Sequence, residues 1–191
     1  MASITHPRVT HPRISRTQYV AIQLDAGWTA PLELIDGEAV VIPPTGGQAS
    51  RAQIELIHAL RGWQDRTADR GLLLQDVFVE LPGGEYPAPD IAWWTAGRVP
   101  VVGFGAVSSV PDLVGEVLSP STEANDRGPK REAYATAGVR ELWLVDPRTR
   151  DITVYRDPEL AAPVTLGRAD ELTSELLPGF AAKVGELLPV V

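Results

Sequence analysis

The stretch DLVGEVL, Asp112 to Leu118, is apolar on both sides of an extended chain. The pleat puts Val114, Glu116 and Leu118 on one face and Leu113, Gly115 and Val117 on the other, so Glu116 alone breaks the pattern. A strand that is greasy on both faces must be covered on both, and helices are the usual cover. The surrounding segments supply them. A β-hairpin, a helix, three strands, a second helix and two strands follow one another, which predicts an α/β sandwich with helices packed on a mixed sheet.

The hairpin is LELIDGEAVVI, Leu32 to Ile42, turning at Asp36-Gly37, a dipeptide that tolerates positive φ. The first long helix is QASRAQIELIHALRGWQDRTADRG, with Ile54, Ile57, Leu60 and Trp63 at helical spacing and Gly71 as its stop. LLLQDVFVEL and EYPAPDIAWW read as strands flanking PGG. Pro129 belongs in the first turn of the next helix, with Asn125 or Asp126 as cap and Gly138 closing it. ELWLVD and DITVYR make a second hairpin across PRTR, and the last residues cover the sheet as a short strand or helix.

Two copies of THPR, Thr5 to Arg8 and Thr10 to Arg13, precede all this; their prolines oppose a helix, and residues 1–16 are expected to form an extended arm. Residues 17–191 are expected to form one domain, since no low-complexity linker divides them and 44% hydrophobic content over 191 residues can bury a real core. The chain has no cysteine, which excludes disulfides, thiol nucleophiles and thiolate metal sites. No apolar run approaches the roughly 20 residues that span a bilayer, so a soluble cytoplasmic protein with no membrane partner is expected. A net charge of −8 disfavours holding nucleic acid mainly by bulk attraction, but carboxylates that bind cations lower the charge of a metal-free nuclease in the same way.

Glu116 raises the chemical question. A buried carboxylate takes up a proton, pairs with a cation or binds a metal. A second acid, Asp90, follows Pro89 in YPAPDIAWW, where the proline removes a ladder donor and weakens strand pairing. Asp90 and Glu116, with the backbone carbonyl of Val117, would make an all-oxygen site of the kind Mg²⁺ or Mn²⁺ prefers. Lys130 shares a helical face with Ala133, Tyr134 and Ala137 on the side assigned to the sheet, and the helix directly follows the Glu116 strand. Its ammonium could orient an attacking water or balance charge on a phosphoryl group. The residues alone leave a buried structural Glu116–Lys130 ion pair equally open.

Pro89-Asp90, EVLSPST at Glu116 to Thr122, Lys130 with Tyr134, AGVRELWLVDP at Ala137 to Pro147 and LELIDGE at Leu32 to Glu38 together resemble the Uma-two family of the PD-(D/E)XK nuclease superfamily. The resemblance runs from about Leu32 to Arg156. It implies a restriction-endonuclease-like mixed β-sheet flanked by helices, and a metal-dependent endonuclease acting on DNA with Asp90 and Glu116 as ligands. Glu33 looks like the family's additional acid, although Glu38 lies close enough to compete for that role. The superfamily's usual lysine position, after Val117, is Leu118 here, and Lys130 resembles the displaced lysine of this family. A helix-start histidine of such relatives appears as Arg51. By analogy with the superfamily, a homodimer is expected, since cutting both strands of a duplex is easiest for a symmetric pair.

The competing class is a noncatalytic DNA-binding or assembly module that keeps the fold. His58 falls on a polar helix face, Ser119 and Ser121 lack a nearby histidine, and TGG at Thr45 to Gly47 lacks the lysine of a phosphate loop; these read as surface and turn residues. Trp93 and Trp94 read as core or interface rather than base-stacking groups.

Overall fold

A computed structural model describes residues 14–25, 32–67 and 71–190. The THPR repeats, with His6 and His11, lie outside the described residues. Helix α1 (Arg16–Asp25) has no counterpart in the sequence reading, and its Tyr19 is buried and donates its hydroxyl to the Leu32 carbonyl at 2.5 Å. The hairpin follows as expected, with β1 (Leu32–Ile35) and β2 (Glu38–Val41) antiparallel across Asp36 and Gly37, at φ 50° and 71°.

Helix α2 (Gly47–Arg66) buries Ala49, Ala52, Leu56, Leu60 and Trp63. This corrects the predicted stripe. Ile54 is 62% exposed, because the two alanines let the first turns approach the sheet closely and thereby fix which side faces inward. Gly71 is likewise not the helix stop. A Cβ there would lie 2.1 Å from the Trp94 carbonyl oxygen and 2.5 Å from the Trp93 ring, so the glycine serves a close backbone approach.

The main sheet has six strands in the order β3 (Leu72–Gln75), β4 (Ile91–Trp94), β5 (Leu113–Val117), β6 (Glu141–Asp146), β7 (Asp151–Tyr155) and β8 (Pro163–Leu166). Only β5 and β6 run parallel among these, joined by the crossover α3 (Glu123–Asn125), a wide π turn (Asp126–Lys130) and α4 (Arg131–Ala137). The helix therefore starts before Pro129. Asn125 and Asp126 already have helical φ and ψ, and Pro129, which has no N–H to give, sits inside the wide turn. Gly138 does close the helix, at φ 87°. Strands β8, β9 (Glu171–Thr173) and β10 (Ala181–Lys183), with α5 (Val184–Leu187), complete the chain; β8 and β9 escaped the sequence reading because they are short and largely exposed.

The alternation along β5 sorts two cores. Leu113 and Val117 pack with Leu56, Leu60, Trp93 and Phe180; Val114 and Leu118 pack with Trp94, Tyr134 and Leu142 on the opposite face. Trp93 and Trp94 thus fill separate layers. At the starting edge of β5, buried Asp112 accepts from the Thr95 amide and hydroxyl, both at 2.9 Å, and pairs with Arg98 at 2.5 Å. That acid is a structural anchor. The carboxyl end of the same strand is built differently.

Candidate active site

Strand β4 pairs with β5 only as far as Ile91 opposite Gly115, whereas β5 continues beside β6 to Val117 opposite Val145. Glu116 and Val117 therefore overhang β4. Pro89 and Asp90 lie where the ladder would have continued, and Pro89 has no donor to offer. The Val117 N–H donates to the Asp90 carboxylate, Oδ2 at 2.5 Å. The strands part here and open a cleft of about 90 Å³, room for a few waters, lined by Glu33, Asp90, Glu116, Val117, Asp126 and Lys130.

Lys130 comes from the last position of the π turn and is 3% exposed. Its ammonium lies 2.8 Å from Glu116 Oε1, 2.9 Å from Glu33 Oε1 and 3.4 Å from Asp126 Oδ1. One helical turn on, fully buried Tyr134 donates its hydroxyl to Glu116 Oε1 at 2.6 Å. Glu33 is brought in because β1 docks on the segment before Asp90: Leu34 bridges Tyr86, and the Ala88 N–H donates to Glu33 Oε1 at 2.7 Å. Glu38, its competitor in sequence, is not among the cleft residues.

Charge inside this cleft is strongly perturbed. Burial lifts the Asp90 carboxyl to about 6, against the opposing pull of the Val117 amide and the Lys130 ammonium. Burial also raises Glu116 well above the ordinary range; Lys130 pulls it down, and Asp126, Asp90 and Glu33 push it up. Burial alone would lower the Lys130 ammonium, but Glu116, Tyr134, Glu33 and Asp126 reverse that and hold it well above its usual value. Burial and the facing Glu116 keep Tyr134 a neutral phenol, able to donate.

The family description "Putative restriction endonuclease", Uma2, matches residues 18–187. The chain belongs to the Uma2 family. Its fold is similar to that of a "putative nuclease belonging to DUF820" from Anabaena variabilis ATCC 29413, with a TM-score of 0.69 and 19% identity, covering 86% of this chain and 96% of that one. No curated protein matches it. The restriction-endonuclease-like mixed sheet flanked by helices expected of a Uma2 member is thereby established.

Asp90, Glu116, Lys130 and Glu33, the acids and lysine that the resemblance implies, line one cleft together with Val117. Arg51 does not, and lies with 44% of its side chain exposed beside Glu55. Three contributors went unrecognised in the sequence. Asp126, one of two cap candidates in the sequence, is buried against Lys130, and burial raises its carboxyl. Tyr134 appeared only as part of a pattern. Gln53 of α2 donates to Asp76 Oδ1 at 2.8 Å and reaches the Asp90 backbone carbonyl at 3.4 Å, pinning the loop that carries Asp90. Ser119 and Ser121 hydrogen-bond each other at 3.0 Å in the turn after β5, as a turn reading requires. His58 is exposed, and no helix among the described residues is long and apolar enough to cross a membrane.

Among the described residues no three His, Cys, Asp or Glu side chains converge as a ready-made metal cage. The donor set suits a different arrangement. Asp90 uses one oxygen on Val117 and Glu116 one on Lys130 and Tyr134, leaving each a second oxygen at a cleft wide enough for water. Mg²⁺ is commonly held by one or two carboxylates with waters and substrate phosphate completing its shell.

Proposed function

We propose that this Uma2 chain is a metal-dependent endodeoxyribonuclease hydrolysing DNA phosphodiester bonds, with Asp90, Glu116 and the Val117 carbonyl holding Mg²⁺ or Mn²⁺. Such an ion supplies Lewis-acid polarisation of the phosphodiester and a water of lowered pKa. The chain's own residues do the rest. Val117 fixes the Asp90 carboxylate through its N–H, and Tyr134 and Lys130 occupy one Glu116 oxygen so that the other is left for the cleft. Lys130 keeps its proton and places a fixed positive charge where negative charge grows on the phosphoryl oxygens. Glu33 and Asp126 hold that ammonium in position.

The reading rests on one observation: Asp90, Glu116 and Lys130, separated by up to 40 positions in sequence, share one cleft at the carboxyl end of β5. Cleavage of plasmid and short duplex DNA with Mg²⁺ or Mn²⁺ tests it. Glu116→Ala should reduce turnover by at least a hundredfold, and cleavage equal to wild type would overturn the reading.

A second reading, a noncatalytic DNA-binding or assembly module, draws on the engagement of Lys130 by three carboxylates, as in a closed structural ion network. Specific divalent binding that Asp90→Ala abolishes separates the two. Cutting both strands of a duplex favours a symmetric homodimer, which light scattering in solution checks.

A further inference from the structure

The cleft has a charge problem. Four carboxylates, Glu33, Asp90, Glu116 and Asp126, face a single ammonium, Lys130, so a polyanion needs cations nearby. A neighbouring pocket supplies them. It has a volume of about 320 Å³ and is lined by Gln48 and Arg51 from the start of α2, by Arg148 and Arg150 from the β6–β7 turn, and by an apolar floor that includes Leu187 and Leu188.

The two sites lie side by side. Ala49 lines the cleft and Ala52, one turn along α2, lines the pocket; Val117 lines the cleft and pairs with Val145, two residues before Pro147 of the pocket. Adjacent strands and two residues of chain place them about 10 Å apart. That is on the order of one or two nucleotide steps along a strand, because the backbone path between successive phosphates is longer than the axial rise of about 3.4 Å.

The three arginines differ in their freedom. Arg148 is spent on Asp146 at 2.7 Å and Glu123 at 2.6 Å. Arg51 has only a loose, exposed pair with Glu55 at 3.9 Å, and Arg150 has no ion pair or side-chain hydrogen bond among the described residues. Arg150 also sits at φ 59°, where its N–H donates to the Asp146 carbonyl at 2.8 Å. That left-handed turn position favours glycine, so local conformational preference does not account for an arginine there.

We propose that Arg51, Arg150 and Gln48 form a docking pocket for a nucleic-acid phosphodiester that flanks the phosphate held at Asp90 and Glu116. This deepens, and rests on, the nuclease reading of the neighbouring cleft. The cations are half-exposed above an apolar floor, which suits the phosphate and sugar of a continuous strand, held loosely and in a salt-dependent way, rather than a buried free ion.

The test is binding of a fluorescent DNA duplex by anisotropy, titrated with salt, in EDTA and separately in Ca²⁺. Arg51→Ala and Arg150→Gly should each weaken binding roughly an order of magnitude at 0.1 M salt and lower the slope of log affinity against log salt by about 1. Arg51→Lys should keep the slope. Arg150→Gly relaxes the turn, and circular dichroism confirms that each variant is folded. Variants that bind with the wild-type slope, wild type that binds no DNA in either buffer, or a pocket that saturates with inorganic phosphate while the slopes stay unchanged would each overturn the proposal. Because binding is read apart from turnover, the two readings fail separately. Unchanged slopes with Glu116→Ala still inactive remove the pocket alone, and normal cleavage by Glu116→Ala removes the catalytic reading.

Discussion

The Asp90 carboxylate accepts the Val117 amide N–H at 2.5 Å, beside Pro89, which has no N–H to give the Val117 carbonyl. One side chain thus terminates the β4–β5 pairing and faces the cleft that the termination opens. It also carries an energetic cost, because burial lifts its carboxyl from 3.8 to about 6.

A group with a raised folded-state value contributes stability that is fully present below its unfolded value and lost as pH rises through the folded one. Metal-free protein should therefore lose stability between about pH 4 and pH 6 through Asp90. Asp90→Asn keeps an acceptor for Val117 and should flatten that window, gaining up to about 3 kcal/mol at pH 7. Urea unfolding in EDTA at pH 4, 5, 6 and 7 measures it, and an Asn variant with the wild-type pH slope contradicts it.

The same carboxyl must give up its proton to serve as a ligand. Mn²⁺ affinity should therefore rise with pH through about 6 as Asp90 ionises, and keep rising while Glu116, also raised by burial, gives up its proton; Asp90→Ala should remove binding across the range. Calorimetric titration at pH 5, 6, 7 and 8 reads both effects. Affinity that is flat from pH 5 to 7 would argue against Asp90 as the ligand.

Lys130 neutralises Glu116, Glu33 and Asp126 in a buried setting. Lys130→Met should cost about 3–5 kcal/mol at pH 8, since it leaves buried carboxylates without their counter-charge. The loss should shrink at pH 5, where Glu116 and Asp126, both already raised, take up protons. Denaturant midpoints at the two pH values decide it. A larger loss at pH 5 would show that the carboxylates do not depend on Lys130.

Trp94 is fully buried, yet its indole N–H has no acceptor among the described residues. A buried unpaired donor costs about 1–3 kcal/mol, so Trp94→Phe should offset much of its lost packing and cost under about 1.5 kcal/mol. Leu60→Ala, which removes only apolar contacts from the other core, should cost about 2–5 kcal/mol. Thermal unfolding compares them, and an equal or larger loss for Trp94→Phe would contradict the argument.

The local pattern of residues determined much of this protein. Two apolar faces on DLVGEVL required helices on both sides, Asp36-Gly37 required a turn, and the isolated Glu116 and the proline before Asp90 marked both acids without coordinates. Each is a property of a few consecutive side chains. Tertiary structure decided the rest, because it depends on which elements meet. The alanines of α2, and not its isoleucines, set the face against the sheet. The docking of β1 beside Tyr86 chose Glu33 over Glu38, and the wide turn at Pro129 made Asp126 a partner of Lys130 instead of a cap. Arg51 and Arg150 are 99 positions apart in the chain, and only the parallel pairing of β5 with β6 beside the start of α2 puts them in one pocket.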